Sequence, residues 1–329
     1  MRVGIVGCGL IGQKRAEALG DSRLVACADL DPGRAQQLAG RFPGCRPHTD
    51  WRDLVQSPEV DAVVVATTHD GLAEITLGAV AGGKHALVEK PAARGAAELE
   101  PVIAEAERQR VHVRVGFNHR YHRALQKARE LFDQGVLGEL MYMRARYGHG
   151  GRLGYEKEWR AHPHLSGGGE LIDQGVHLID LARWFLGDFA QVTGLARTYF
   201  WNMPVDDNAF LMLRTATDQV AWLHASATEW KNLFSMEIFG KGAKLQVDGL
   251  GGSYGVERLT LYRMLPQMGP PETTIWEYPM ADDSWATEFH EFAEDVRLGR
   301  TPSPGLRDAR AVLEIVEQVY KESGHSHHP

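Results

Sequence analysis

The sequence predicts a chain of two domains. A doubly wound parallel α/β sheet occupies residues 1–120, and an α+β domain with an open, largely antiparallel sheet occupies residues 121–329. Three observations carry this. Short apolar strands alternate with helix-length segments from Val3 to Val115, the pattern of repeated βαβ units. A glycine-rich turn stands between the first strand and the first helix. From Leu140 onward, strand-like segments follow one another with only short turns between them, which predicts antiparallel or mixed pairing. At 329 residues the chain is long enough for two separate cores.

Residues 3–6 form the first strand, followed by Gly7-Cys8-Gly9-Leu10-Ile11-Gly12 and a helix over 13–19. This context of strand, tight turn and helix start gives the glycine spacing its meaning. Gly7 permits the turn, Gly9 lets a pyrophosphate reach the backbone, and Gly12 lets helix and strand pack closely. Leu10 and Ile11 open the helix, whose first N–H groups and partial positive charge suit phosphates. A second strand over 24–28 ends in Asp29, about 20 residues further on, where a carboxylate accepts hydrogen bonds from the adenosine ribose. Together these predict a bound dinucleotide. Asp29 favours NAD, and Arg34 one turn into the next helix keeps NADP open.

The alternation continues with helices at 32–39 and 51–56. Residues 61–66 are a near-continuous apolar strand of the kind buried on both faces of a parallel sheet. Thr67, Thr68 and His69 follow at its C-terminal end, where ligands of open α/β sheets collect, and are expected to face the cofactor. A helix at 72–81 leads to a strand at 85–88 that ends in Glu89-Lys90-Pro91. Glu89 and Lys90 thus lie on the ligand edge. Lys90, fixed by Pro91, is placed to reach a substrate hydroxyl oxygen rather than to serve as a solvated surface charge. A helix at 96–110 and a strand at 111–115 complete the unit, and Gly116-Phe117-Asn118 closes it.

In the second domain a helix at 123–132 precedes strands at 141–147, 191–199, 208–214, 219–227, 234–240 and 243–247. Amphipathic helices follow at 288–298 and 306–322. An open sheet has a face to cover, which predicts self-association as well as helix packing. Before the second of these strands, Ser166-Gly167-Gly168-Gly169 leads into an apolar-periodic helix that stops at Gly187. Asp173 and His177 fall one turn apart on one face of it, with Asp180 a further turn along. Alone, this trio reads as a satisfied structural network before it reads as a proton-handling device. Residues 148–155 and Trp159-Arg160 line a pocket or form a surface loop. An indole against a sugar's C–H face, with Arg152 and Arg160 for hydroxyls or a phosphate, suits a carbohydrate.

Other classes are disfavoured. The net charge of -7 provides no basic field for nucleic acid. No run of 18 or more apolar residues and no signal-peptide pattern are seen, so a cytoplasmic protein without membrane contact is expected. Cys8, Cys27 and Cys45 share no C-x-x-C spacing and read as free thiols in a reducing compartment. The histidine-rich residues 324–329 read as a frayed end. His162, His164, Asp173 and His177 could be drawn as metal ligands. His162-Pro163-His164 lies in a loop with no cysteine near, so no metal is expected.

As a set these residues resemble the Gfo/Idh/MocA family (glucose–fructose oxidoreductase, inositol dehydrogenase, rhizopine catabolism). The carriers are Gly7-x-Gly9-x-x-Gly12, Ala66-Thr67, Glu89-Lys90-Pro91, Gly116-Phe117-Asn118, and Gly167-Gly168-Gly169 through Asp173-x-x-x-His177-x-x-Asp180, which span nearly the whole chain. The resemblance implies an N-terminal Rossmann domain and homodimers or homotetramers built through the C-terminal sheet. It also implies Lys90, Asp173 and His177 as the catalytic group. The implied activity is hydride transfer between NAD(P) and a secondary alcohol of a sugar, cyclitol or nucleotide sugar. In that reading His177 is the acid/base, Asp173 orients it or bonds a neighbouring hydroxyl, and Lys90 holds the reacting oxygen. Asn118, Tyr147, Trp159 and Arg160 join them as expected substrate contacts. Two departures stand out. Thr68-His69 and Leu72 replace a common Pro-Asn pair and a later histidine, and His119 replaces a common arginine. Branches of the family also suggest an NAD-dependent glycoside hydrolase or a non-catalytic dinucleotide-binding regulator. Retention of Lys90, Asp173 and His177 speaks against the regulator.

Overall fold

The structure, a computed structural model, describes residues 1–325, and the histidine-rich end beyond His325 lies outside the described residues. Six strands form the first sheet: β1 (Arg2–Val6), β2 (Arg23–Ala28), β3 (Arg46–His48), β4 (Ala62–Val65), β5 (His85–Glu89) and β6 (Val113–Gly116). All pairings are parallel, in the order β3-β2-β1-β4-β5-β6. The helices α1 (Leu10–Glu17), α2 (Pro32–Arg41), α3 (Trp51–Gln56), α4 (His69–Ala81) and α5 (Glu100–Gln109) connect them. Every residue of the Ala-Val-Val-Val strand β4 is buried, as a strand sandwiched by helices requires. Asp31 and Asp50 start α2 and α3 by accepting the Gly33 and Arg52 N–H groups. The strand order reverses between β1 and β4, so their C-terminal ends flank the crevice where such sheets bind ligands.

Helix α6 (Arg123–Asp133) hands over to the second sheet. Its strands are β7 (Leu140–Gly148), β8 (Phe189–Arg197), β9 (Asn208–Thr215), β10 (Val220–Ser226), β11 (Leu233–Gly240), β12 (Lys244–Asp248), β13 (Glu257–Arg263) and β14 (Glu272–Tyr278). The order is β14-β13-β12-β11-β7-β10-β9-β8, antiparallel except where β7 and β10 run parallel. One face is covered by α6, by α8 (Val176–Leu186), which the short α7 (Pro163–Ser166) precedes, and by α10 (Leu306–Ser323). Tyr142, Met212 and Trp222 remain exposed on the other face. The helix α9 (Ser284–Leu298) returns to the first sheet, where Phe289 and Phe292 join the core of Val3 and Ile5.

The glycine run before α8 serves close packing rather than flexibility. A Cβ on Gly168 would stand 2.2 Å from the Tyr320 hydroxyl oxygen, and one on Gly169 1.9 Å from the Asp206 carbonyl oxygen. The buried Asp206 carboxylate accepts the N–H groups of Gly169 and Leu171 at 2.9 and 2.8 Å, which anchors the helix start. Residues 171–175 then form a wide π turn before α8 begins, where the sequence predicts continuous α-helix. Such turns are rare and concentrate at functional sites.

Asp180 is fully buried and accepts two hydrogen bonds from Arg120, at 2.6 and 2.8 Å. This pair straps α8 to the segment after β6. Asp180→Ala should therefore destabilise the fold by about 3–5 kcal/mol, because it strands a buried guanidinium. Urea unfolding checks this, and adding Arg120→Met should recover most of the loss.

Candidate active site

Each glycine of the first turn has its own steric requirement. Gly7 has a φ of +93°, and a Cβ there would lie 2.4 Å from the Ala66 carbonyl oxygen. A Cβ on Gly12 would lie 1.8 Å from the Gly7 carbonyl oxygen. At Gly9 nothing among the described residues comes within 4 Å of the Cβ position, so the backbone there is open to a ligand. A groove of about 910 Å³ begins at this turn and passes Leu10, Ile11, Asp29, Arg34, Thr67 and Thr68. It ends against Trp159 and Arg160 of the second domain. The residues present fit a dinucleotide: an approachable backbone, a helix N-terminus and a carboxylate at the end of β2. Asp29 also braces the turn, since it accepts the Cys8 N–H at 2.8 Å and the Asp31 N–H at 2.9 Å. Arg34 lies exposed beside Asp31, with its Nε 3.6 Å from that carboxylate.

Two residues expected at the cofactor lie behind the groove wall. His69, the first residue of α4, turns inward. Its Nδ1 is 2.8 Å from the Ser166 carbonyl oxygen, its Nε2 is 3.8 Å from Asp173, and its ring meets Trp159 edge-on at 4.8 Å. The Glu89 carboxylate points beneath the sheet edge, where it accepts the Arg15 Nε–H at 2.6 Å. Arg15 is fully buried and also pairs with Glu288 of α9 at 2.6 Å. Glu89 thus fixes the end of β5, from which Lys90 projects.

Lys90 and the 171–177 segment meet across the domain boundary. The Lys90 ammonium donates to Asp173 Oδ1 at 2.6 Å and to the Asp173 backbone carbonyl. Arg160 Nε donates to the other carboxylate oxygen at 2.8 Å. Burial alone would raise the Asp173 carboxyl, but Lys90 and Arg160 hold it well below the usual range. His177 takes a different environment. Its ring stacks on His119 at 3.8 Å between centroids and meets Phe117 edge-on at 6.0 Å. Its Nδ1 is buried, with no hydrogen-bond partner among the described residues. Burial, aided by the Lys90 charge, holds its pKa well below that of an ordinary imidazole. Asp173 therefore orients Lys90 and Arg160, not the imidazole, because two cations claim its oxygens first.

Residues 1–117 match the model of the oxidoreductase family with an NAD-binding Rossmann fold, and residues 125–246 match the Gfo/Idh/MocA C-terminal domain. The chain belongs to the Gfo/Idh/MocA oxidoreductase family. Its first domain is an NAD-binding Rossmann domain. A levoglucosan dehydrogenase of Pseudarthrobacter phenanthrenivorans is 25% identical, over 98% of this chain and 97% of that protein. Inositol 2-dehydrogenase 2 of Saccharopolyspora erythraea is 34% identical over 65% of this chain and 63% of its own. Among solved structures, a levoglucosan dehydrogenase in complex with NADH and levoglucosan has the same fold. The TM-score is 0.90, with 22% identity and coverage of 98% and 97% of the two chains.

In this Gfo/Idh/MocA site the remaining expected contacts fall close by. Asn118 is buried; its Nδ2 donates to Ser284 Oγ at 3.0 Å, and its Oδ1 lies 3.3 Å from His119 Nδ1. The Tyr147 ring packs against His119 at 4.9 Å and His177 at 6.1 Å. The 148–155 loop combines both expected readings: Tyr155 is buried, whereas Leu153 is fully exposed and the exposed Arg152 pairs with Glu158 at 2.7 Å on the groove rim. Beneath it lies a pair that sequence reasoning missed, Glu170 with His149 at 3.5 Å. Both residues flank motifs the sequence displays, but their meeting depends on the return of the chain after β7. Among the described residues no group of three or more His, Cys, Asp or Glu side chains is arranged to hold a metal.

Proposed function

We propose that this protein is an NAD-dependent dehydrogenase that transfers a hydride between a secondary alcohol of a sugar or cyclitol and nicotinamide, with Lys90, Asp173 and His177 as its catalytic group. The observation that carries the reading is the junction of Lys90 with Asp173 across the domain boundary, tied to the end of the dinucleotide groove through Arg160. NAD, when bound, supplies hydride acceptance and donation. The chain handles the oxygen and its proton. An ammonium has three N–H donors, and Asp173 takes two of those on Lys90. The third is aimed by that tether and is available to the reacting oxygen, where it stabilises developing alkoxide charge. His177, held neutral, accepts the hydroxyl proton in oxidation and returns it in reduction. Trp159 offers an aromatic face to the ring of the substrate. Arg160, tied to Asp173 through Nε, has its remaining N–H groups for hydroxyls.

Asp29 supports NAD over NADP, since a 2′-phosphate there meets like charge. Asp29→Ala should weaken NADH binding by about tenfold, because it removes both a ribose acceptor and the brace on the Cys8 N–H. Fluorescence titration with NADH and NADPH measures this, and unchanged affinity for NADH contradicts it. The exposed Trp222, Met212 and Tyr142 support a homodimer or homotetramer through the open sheet. Three free cysteines support a cytoplasmic setting.

The test is incubation with NAD and a panel of sugars, cyclitols and nucleotide sugars, reading NADH absorbance and free sugar together. Substrate-dependent NADH is the expected outcome. Sugar release without NADH would identify a glycoside hydrolase, and NAD binding with neither signal across the panel would identify a regulator.

A further inference from the structure

Tyr147 is an expected substrate contact, yet its ring is buried among His119, His177 and Phe234. Beside it stands a second tyrosine that keeps exposed surface. We propose that this residue, Tyr254 on the glycine-rich turn between β12 and β13, binds a hydroxyl of the sugar or cyclitol across the ring from the reacting carbinol, with Tyr147 as its support. The inference rests on the dehydrogenase reading above and adds to it a residue that orients the substrate ring.

Tyr254 reaches the site from one end of the second sheet. β7 ends at Gly148, which pairs with Leu233 at the start of β11, and β12 ends at Asp248, which pairs with Ser235. The turn over 249–255 therefore emerges beside Tyr147. The Tyr147 and Tyr254 rings lie 5.5 Å apart between centroids, tilted by 41°, and their hydroxyls pair. Tyr147 in turn meets the His177 ring edge-on at 6.1 Å. Tyr254 is thus one ring removed from the acid/base, beyond reach of the carbinol but on the same side of the sheet. The carboxylates of Glu170 and Asp173 both act on its phenol.

The turn that carries it is built to fix one side chain. Gly249, Gly251, Gly252 and Gly255 have φ values of +73°, +78°, +52° and +88°, a region costly for other residues. At Gly251, Gly252 and Gly255 nothing among the described residues lies within 4 Å of a Cβ position, so these glycines serve the path of the backbone and not close packing. The Gly251 N–H donates to the Gly255 carbonyl at 2.9 Å and the Tyr254 N–H to the Gly251 carbonyl at 3.1 Å, which closes the turn. Asn232 Nδ2 donates to Ser253 Oγ at 2.6 Å and ties the turn to the segment before β11. Ordering four such glycines costs chain entropy, and what that cost fixes is the position of Tyr254.

A phenol suits the task. It both donates and accepts hydrogen bonds, so pairing with Tyr147 leaves capacity for a ligand. Burial, together with the Glu170 and Asp173 charges, raises the Tyr254 phenol above its ordinary pKa, so it stays protonated and can donate at neutral pH. Its ring also offers an apolar surface to the C–H face of a sugar or cyclitol. The separation from His177 assigns it a hydroxyl on the far side of the substrate, which a polyhydroxylated ring supplies and a simple secondary alcohol does not. Holding that hydroxyl selects which carbinol meets His177. No bond forms or breaks at Tyr254, and it does not carry the reacting proton.

The experiment measures kcat, KM and NADH affinity for wild type, Tyr254→Phe and Tyr254→Ala, with levoglucosan, myo-inositol and their monodeoxy analogues. Tyr254→Phe should raise KM by about fivefold to tenfold and leave kcat within about threefold, the cost of one hydrogen bond. Tyr254→Ala should raise KM further, and NADH affinity should hold in both. One deoxygenation should cost wild type as much as the phenylalanine substitution does, and should cost Tyr254→Phe nothing more. Unchanged KM in both variants overturns the proposal, as does full additivity of Tyr254→Phe with every deoxygenation. A loss confined to kcat, or one accompanied by weaker NADH binding, also overturns it, since that marks a structural role. If wild type forms no NADH, the dehydrogenase reading fails, and saturation-transfer NMR of levoglucosan and myo-inositol with the NADH-loaded proteins decides Tyr254 by itself. Saturation weakened in Tyr254→Ala supports the contact; saturation equal in the two proteins, or absent from wild type, overturns it.

Discussion

Replacing Lys90 by methionine should lower kcat/KM by about 10²–10³, the cost of removing one preorganised donor to a developing oxyanion. Methionine keeps roughly the length of the side chain but offers no N–H. Glu89 and the Arg15 bridge continue to fix the end of β5, so the groove and NADH affinity should persist. Asp173 keeps Arg160 as its partner and stays charged. The loss should therefore appear in turnover, which steady-state kinetics beside NADH titration will separate. A variant with near-native kcat/KM would remove Lys90 from the mechanism.

Substituting His177 by asparagine should cost about 10²–10⁴ in kcat, the range of general acid–base catalysis. The pH profile gives the finer test. Oxidation needs the neutral imidazole, so the rate falls as pH drops through the His177 pKa. Burial and the Lys90 charge hold that pKa well below the ordinary value of about 6.5. The acid limb of kcat/KM should accordingly lie below pH 6.5 by a clear margin, with a plateau across neutrality. In Lys90→Met the depressing charge is gone, and the limb should move upward. A limb that stays in place would mean that the titrating group is not His177.

Much of this was legible in the sequence because its causes are local. The apolar strand β4, the glycine turn and the Asp29 position follow from burial on two faces and from the backbone needs of a phosphate site. The strand β3 was not legible. Arg46-Pro47-His48 has neither alternation nor apolar content, and it pairs along the outer side of β2. The edge strand β14 was also missed, since it is largely exposed and shows no buried alternation, and with it went its buried partner β13. In the site, residue types were readable and partners were not. Asp173 and His177 share a helix face in the sequence pattern, yet the π turn and two neighbouring cations give Asp173 to Lys90 and Arg160. The stacking of His119 on His177 joins the end of β6 to α8, a meeting that no local spacing records. His69 and Glu89 occupy the right sheet edge, but one begins a helix that turns inward and the other answers a buried arginine.

Direct hydride transfer is expected across the junction of Lys90 with the Asp173–His177 segment. The most direct measurement uses levoglucosan and myo-inositol deuterated on their carbinol carbons, incubated with NAD and either wild type or Lys90→Met. Proton NMR of the recovered NADH should show deuterium at nicotinamide C4 from the wild-type reaction and a greatly reduced yield from the variant. Label-free NADH, or an equal yield of labelled NADH from both proteins, would contradict the account.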